Sequence, residues 1–200
     1  IDSRAVDISY RLTGDNAYIT VAIETNALSA PEWAGVKIPD SRVTRLSGDV
    51  SRLITADASK DKRIVWNAGA ELPGVEIAEA RAVVTAWSTN YPPPVLAFDL
   101  GGDYQGGDYL TQHAITALGF PSLDALPHGG LTNDIYRTSL LVMRRIDSGA
   151  FVMGSPFGEQ GRYANEILHQ VTLSHAFYMG GFEVNQVQWR RIKYAGPTPI

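Results

Sequence analysis

Three aspartates interleaved with glycines are the residues whose type and spacing come nearest to a metal-binding pattern. Asp99, Asp103 and Asp108 lie in the stretch 99–109, which contains four glycines, and carboxylate oxygens are the hard ligands that calcium prefers. The spacing is not that of an EF-hand loop, and aspartates in such turns commonly accept a hydrogen bond from the backbone two residues on. We therefore expect no cofactor, with calcium at these three carboxylates as the alternative.

The four histidines do not form a recognisable ligand set. They are His113, His128, His169 and His175. The last two are six residues apart, which does not match the i, i+4 spacing of a helical zinc pair. We expect all four to lie at the surface or to support other side chains.

Catalysis by the usual side chains has little support in this sequence. The chain contains no cysteine, which removes thiol nucleophiles, disulfides, cysteine-ligated zinc and iron–sulfur clusters. Glu166 and Glu183 could act as acids or ligands, but no histidine or aspartate accompanies them at a fixed spacing. We expect both to cap helices or accept hydrogen bonds from the backbone.

Charge and composition restrict the class of protein and of partner. The 200 residues carry a formal net charge of −4, so no basic field attracts nucleic acid or an anionic membrane. Apolar residues make up 44% of the chain, enough to build a core. The apolar runs are far too short for a transmembrane helix.

The first ninety residues have the pattern of short strands separated by turns. Apolar and polar residues alternate at period two in most of these segments, which is typical of half-buried strands. The predicted strands are 6–12, 18–24, 43–46, 63–66 and 79–87. Their spacing predicts an immunoglobulin- or fibronectin-III-like β-sandwich over residues 1–90, with Trp66 as a core anchor.

A proline run marks the end of this domain. Three consecutive prolines at 92–94 favour extended backbone and cannot donate to a sheet. The glycine-rich sequence that follows predicts an extended connector over 91–138, with one helical turn near 113–118.

The last part, 139–200, changes character again. Strands are predicted at 140–146, 151–153, 171–173 and 177–179. Apolar residues within 184–192 predict a helix, with Asn185 as its N-cap.

These last residues resemble a known family. The matching segments are 143–156, 159–162, 165–166, 169–173, 177–180 and 182–189. Together they resemble the opening of the formylglycine-generating enzyme (sulfatase-modifying factor) family, in which threonine is usual where this chain has Asn185. The β-rich front, with Gly129, Gly130 and 136–138, is similar to bacterial members that carry an N-terminal sandwich.

The resemblance implies a secreted or periplasmic protein with a loop-rich α/β fold related to C-type lectins. Active members oxidise a substrate cysteine with two active-site cysteines and copper, and this chain has no cysteine. The residues carrying the resemblance are therefore expected to be scaffold, with a tight glycine turn and a buried phenylalanine and methionine. The scaffold positions are Gly149, Phe151, Met153, Gly154, Ser155, Glu166, Glu183 and Trp189.

The fold expected is thus mainly β, a sandwich followed by a truncated α/β, C-type-lectin-like segment. Because a module that stops after its first helix leaves strands unpaired, we expect a non-catalytic, extracytoplasmic structural subunit. It would form a homo-oligomer or filament through edges around Ile8, Tyr10, Leu140 and Val142. One alternative is the front of a formylglycine-generating oxidase whose catalytic half is absent, acting on a sulfatase-type substrate. A ligand-binding module is the third possibility.

Overall fold

A computed structural model describes residues 4–26, 33, 35–101, 104–105, 108–109 and 115–194. The fold is mainly β, as predicted, and every strand pair in it is antiparallel. The strands of the first ninety residues are β1 (Val6–Tyr10), β2 (Ala17–Asn26), β3 (Gly35–Lys37), β4 (Leu46–Gly48), β5 (Leu53–Ile54), β6 (Lys62–Trp66) and β7 (Ala80–Ser88). The later strands are β8 (Val95–Asp99), β9 (Tyr104–Gln105), β10 (Asp108–Tyr109), β11 (Thr116–Phe120), β12 (Leu140–Ile146), β13 (Gly149–Met153), β14 (His169–Leu173) and β15 (Phe177–Gly180). The helices are α1 (Ala68–Glu71), α2 (Ile135–Thr138) and α3 (Gln186–Tyr194).

Two sheets share the first core. One has the order β1-β6-β4; in the other, β2 pairs with β7 on one side and with β3 and β5 in succession on the other. Ile19, Val21 and Ile23 alternate along β2 into this core and meet Ile64 and Trp66 of β6. The period-two pattern therefore predicted these strands, although the one expected at 43–46 begins only at Leu46.

A buried carboxylate fixes the Trp66 anchor. Glu71 accepts hydrogen bonds at Oε1 from the backbone N–H and hydroxyl of Thr44 and from the backbone N–H of Arg45. Its Oε2 accepts from Trp66 Nε1 at 2.6 Å. Four donors on one buried carboxylate compensate for the loss of its hydration, and Trp66 is a core anchor as predicted.

The second core lies on a four-stranded sheet with the order β11-β8-β12-β15. The segment 91–138, for which the sequence predicts an extended connector, contributes two of these strands. The prolines restrict only 92–94, whereas Val95, Ala97 and Phe120 can be buried and form part of the core. The helical turn predicted near 113–118 is wrong in its described part, where Thr116 begins β11.

The two cores are joined by backbone contacts at Gly119. Its N–H donates to the carbonyl oxygen of Ser51 at 3.1 Å. A Cβ at this position would lie 2.7 Å from Pro93 and 3.1 Å from Tyr18. Only glycine allows so close an approach, so this residue permits the second sheet to meet the first.

Arg145 fixes the proline run to the second sheet. Its backbone N–H donates to Pro94 O at 2.8 Å. Its guanidinium donates to Pro92 O at 2.5 Å and to the Tyr91 hydroxyl at 2.9 Å, and it also pairs with Asp147. The guanidinium carbon lies 3.9 Å from the centre of the Tyr91 ring. Although the prolines cannot donate hydrogen bonds, the carbonyl oxygens of Pro92 and Pro94 accept hydrogen bonds from Arg145 of β12.

Strand β12 does not provide a free edge. It pairs with β8 on one side and with β15 on the other, and Val142 O accepts from Gly181 N beyond the paired residues. Leu140 and Val142 are buried in the second core. The expectation that these two residues form an interface edge is therefore wrong, because β8 and β15 flank the strand that carries them.

No helix in the described part of the chain is long and apolar enough to span a membrane.

Candidate functional site

A β-hairpin lies outside both hydrophobic cores of the described structure. We call residues 149–173 the apolar hairpin: it consists of β13, β14 and the connecting loop 154–168. β13 and β14 form a two-stranded sheet, paired from Gly149–Leu173 to Met153–His169. All five residues of β13 are exposed. Neither face of β13 is therefore buried within the described structure.

Exposed apolar side chains concentrate in and after this hairpin. Of the eighteen large hydrophobic side chains that are exposed among the described residues, eleven lie between 151 and 189. Val152 is 66% and Phe157 94% exposed. The eleven are Phe151, Val152, Met153, Phe157, Tyr163, Ile167, Leu168, Met179, Val184, Val187 and Trp189. Apolar patches of this kind commonly mark interaction sites.

The connecting loop is held in shape by polar contacts. The Ser155 hydroxyl donates to Glu166 Oε2 at 2.8 Å, and Ser155 N donates to Glu166 O at 3.2 Å. Arg162 donates to the carbonyl oxygens of both residues, each at 3.1 Å. Gly154 has a φ of +110°, and a Cβ there would lie 2.6 Å from Ile167 O. The glycine and the three polar residues together fix the base of the loop.

Charged residues are absent from both sides of the hairpin. The sequence has no Asp, Glu, Lys or Arg over 148–158 or over 167–182. The charged groups of the hairpin, Glu159, Arg162 and Glu166, lie within the loop. Because the centres of protein interfaces are depleted of charge, this composition favours contact with another protein surface.

Helix α3 is attached to the second core by two amide side chains. Gln188 N donates to Asn185 Oδ1 at 2.9 Å, so Asn185 caps the helix as predicted. The Asn185 amide also donates to Arg137 O. Gln188 Nε2 donates to Leu140 O at 2.9 Å and to Tyr136 O at 3.3 Å. These bonds leave Trp189, which is 61% exposed, on the outer side of the helix.

Several predicted scaffold residues come together in the hairpin, but three expectations about them are wrong. Phe151 and Met153, expected to be buried, are 46% and 54% exposed, because neither core reaches the hairpin. Gly149 begins β13. The Glu166 carboxylate, expected to cap a helix or to accept from the backbone, instead accepts from the Ser155 hydroxyl. Glu183 is exposed just before α3.

Of the three aspartates considered for calcium, only Asp99 has a described side chain. Asp99 Oδ1 accepts from Gly101 N at 3.0 Å, the turn contact considered as the alternative to calcium. Asp103 and the side chain of Asp108 lie outside the described residues, as does His113. Among the residues that are described, no three His, Cys, Asp or Glu side chains could hold a metal ion.

The predicted edge at Ile8 and Tyr10 is only partly available. Both side chains are half-buried against the first core, and the Tyr10 hydroxyl donates to Asp49 O at 2.7 Å. Burial, followed by the nearby Asp49 carboxylate, raises the pKa of Tyr10 to about 12. Strand β1 pairs with β6 alone among the described strands, so its backbone edge, but not these two side chains, faces outward.

A groove of about 490 Å³ lies between residues 41–44 and residues 123–132. Ser41 and Thr44 line one side, and residues within 123–132 line the other. At its rim, Gly129 and Gly130 have φ values of +82° and +88°. The lining combines leucines, hydroxyl groups and one carboxylate, that of Asp124. This mixture does not favour one class of ligand.

Sequence reasoning missed the polar residues that hold these surfaces in place. Gln188, Arg145 and Glu71 have distant partners that no local pattern identifies. Only the local contact of Gln188 could have been predicted. Gln188 follows the predicted cap Asn185 by three residues, the spacing at which a cap and a glutamine exchange hydrogen bonds.

Comparison with protein-family models, with curated proteins and with solved structures gives no match to this chain.

Proposed function

We propose that this protein is a non-catalytic structural subunit that assembles with other protein through the apolar hairpin. The observation that carries this proposal is that all five residues of β13 are exposed. A two-stranded hairpin by itself is marginally stable in water. An apolar hairpin outside both cores, with no charged residue in either of its strands, gains stability when a further protein surface covers it.

The proposal includes a more specific assignment of the two parts of the chain. Residues 1–90 form an immunoglobulin- or fibronectin-III-like sandwich, supported by two antiparallel sheets on one core. Residues 139–200 form part of a formylglycine-generating-type, C-type-lectin-like module, supported by the resemblance alone. The same resemblance supports an extracytoplasmic location.

The non-catalytic role is supported by residue chemistry. The chain has no cysteine, and the family that it resembles uses cysteines for its oxidation. In the hairpin, Gly154 allows the close approach of Ile167 O, and the hydrogen bond between Ser155 and Glu166 holds the loop. These are scaffold roles.

A second candidate is the front part of a formylglycine-generating-type oxidase. The observation that favours it is that the exposed apolar side chains are concentrated in the very segment that carries the resemblance. In that case a further part of the module, carrying the cysteines, would cover the hairpin. A sulfatase-type substrate belongs to this candidate alone.

Light scattering after size-exclusion chromatography tests the assembly role. We expect the purified chain to elute as an oligomer whose mass is a multiple of 21.7 kDa, and to dissociate on dilution. A stable monomer at high concentration would contradict the proposal.

The mass of the native protein isolated from its source separates the two candidates. A native polypeptide of about this size within an assembly favours the structural subunit. A much longer polypeptide that contains cysteines and oxidises a sulfatase-type peptide favours the oxidase.

A further inference from the structure

We infer that the partner of the apolar hairpin is a second copy of this chain, with the two β13 strands paired antiparallel about a two-fold axis near Phe151. This inference rests on the proposed assembly role and names the occupant of the same surface. A two-fold contact is self-complementary, because each copy presents the same patch to the other.

The open side of β13 can accept another strand. Among the described strands, β13 pairs with β14 alone. Its sequence, Gly-Ala-Phe-Val-Met, contains no charge and no proline, which are two of the features by which proteins protect an edge strand. Its backbone groups on the open side are thus available for strand addition.

Other edge strands are better protected. On β1, Asp7 pairs at 2.5 Å with Arg63 of the neighbouring strand. On β7, Arg81 pairs at 2.6 Å with Glu24 of β2. Charged side chains on an edge discourage pairing with a second copy. The uncharged edge strands β4, β5, β11, β14 and β15 each contain at least one residue that is partly or fully buried. By contrast, every residue of β13 is exposed.

The absence of charge allows the strand to pair with itself. In a two-fold antiparallel pair, each residue faces its counterpart or a close neighbour, so a charged strand would place like charges together. With no charged residue over 148–158, two copies of β13 meet without repulsion. The cross-strand contacts would be made by Phe151 and its neighbours, which suit such pairs.

The apolar side chains of the hairpin supply part of a dimer interface. Seven exposed large apolar side chains lie in the hairpin: Phe151, Val152, Met153, Phe157, Tyr163, Ile167 and Leu168. A fully exposed side chain of this kind offers roughly 60–120 Å². Because these seven are between 46% and 94% exposed, they offer about 300–500 Å² per copy. A standard interface buries about 800 Å² per partner, so the strand backbones and the polar residues of the loops would supply the rest.

A charge-swap experiment at Phe151 tests this arrangement. We would make Phe151→Lys and Phe151→Glu and measure the mass of each by light scattering, alone and mixed. Each variant alone places like charges across the axis and should raise the dissociation constant on the order of a hundredfold. The mixture places opposite charges there and should restore a dimer of twice 21.7 kDa.

The matched control is Val36→Lys. Val36 is also an exposed apolar residue on a short strand, β3. It lies among the first ninety residues and not in the hairpin. This variant should dimerise like the wild type. Near-ultraviolet circular dichroism, which reports the packing of buried aromatic residues such as Trp66, should be the same for all four proteins and would show that they are folded.

The outcomes separate the inference from the function on which it rests. If the wild type assembles and both Phe151 variants assemble equally well, the inferred two-fold contact is wrong and assembly uses another surface. The contact is likewise wrong if the mixture stays monomeric, or if the wild type forms a filament. If the pure wild type is monomeric at all concentrations, both the inference and the proposed assembly role fail.

Discussion

The side-chain amide of Gln188 donates to the carbonyl oxygen of Leu140 at 2.9 Å, across 48 residues of sequence. The same nitrogen donates to Tyr136 O, and the side chain is 1% exposed. One amide thus satisfies two buried carbonyl oxygens, one in helix α2 and one at the start of strand β12. Helix α3 is held to the second core through this side chain.

Replacing this amide should loosen the helix. Gln188→Leu keeps a similar volume but leaves both carbonyl oxygens without this donor, which should lower the free energy of unfolding by about 1–3 kcal/mol. Urea unfolding would measure the loss, and hydrogen exchange of α3 amides should accelerate. Gln186→Leu, at an exposed position of the same helix, is the control; equal effects of the two substitutions would contradict this role.

The Arg145 guanidinium should be needed to fix the proline run. Two nitrogens of the planar guanidinium donate to Pro92 O and to the Tyr91 hydroxyl. Lysine keeps the charge but has a single nitrogen, which cannot reproduce this pair of hydrogen bonds. We expect Arg145→Lys to lower the free energy of unfolding by about 1–3 kcal/mol and to expose the segment 91–94 to proteolysis. The neighbouring Arg144 is exposed, so Arg144→Lys should change neither property. A fully protected segment in Arg145→Lys would argue against this role.

The strands were predictable because their signals are local. Alternation at period two depends only on neighbouring residues, and the strand predicted at 140–146 has both of its ends correct. The cap at Asn185 was also predictable, since its bond to Gln188 N spans three residues.

The pairing and burial of these elements were not predictable in the same way. The strands that flank β12 lie at 95–99 and 177–180, far from it in sequence. The prediction that Leu140 and Val142 form an exposed edge was wrong for this reason. Phe151 and Met153 are apolar, and their exposure depends on the position of the hairpin relative to the cores. The hydrogen bonds of Arg145 span more than fifty residues and have no local signature.

The turn at Gly154 should not tolerate a side chain. Its φ is +110°, and a Cβ would lie 2.6 Å from Ile167 O. Gly154→Ala should therefore destabilise the hairpin by about 1–3 kcal/mol and increase proteolysis within 154–168. Gly158, in the same loop, has open space around it, and Gly158→Ala should be tolerated. Equal protease resistance of the two variants would show that the turn is not constrained.

Two tyrosines with raised pKa values, Tyr136 and Tyr10, should make the protein sensitive to alkaline pH. Burial raises the pKa of Tyr136 to about 12, and its hydroxyl donates to Pro127 O at 2.7 Å. The pKa of Tyr10 is also raised to about 12. In the unfolded chain both tyrosines lose their proton near pH 10. Their stabilising contribution is therefore complete below about pH 10 and is lost as the pH rises toward 12.

Urea unfolding between about pH 8 and pH 12, followed by circular dichroism, would measure this loss. Tyr136→Phe removes one of the two groups. At about pH 8 it should be less stable than the wild type by about 1 kcal/mol, because the hydrogen bond to Pro127 is missing. The difference should shrink above pH 10, where only the wild type must keep Tyr136 protonated in order to stay folded. Tyr163→Phe, at an exposed position, should follow the wild type throughout. A Tyr136→Phe curve that runs parallel to the wild type up to pH 12 would show that the buried hydroxyl does not cause the alkaline loss of stability.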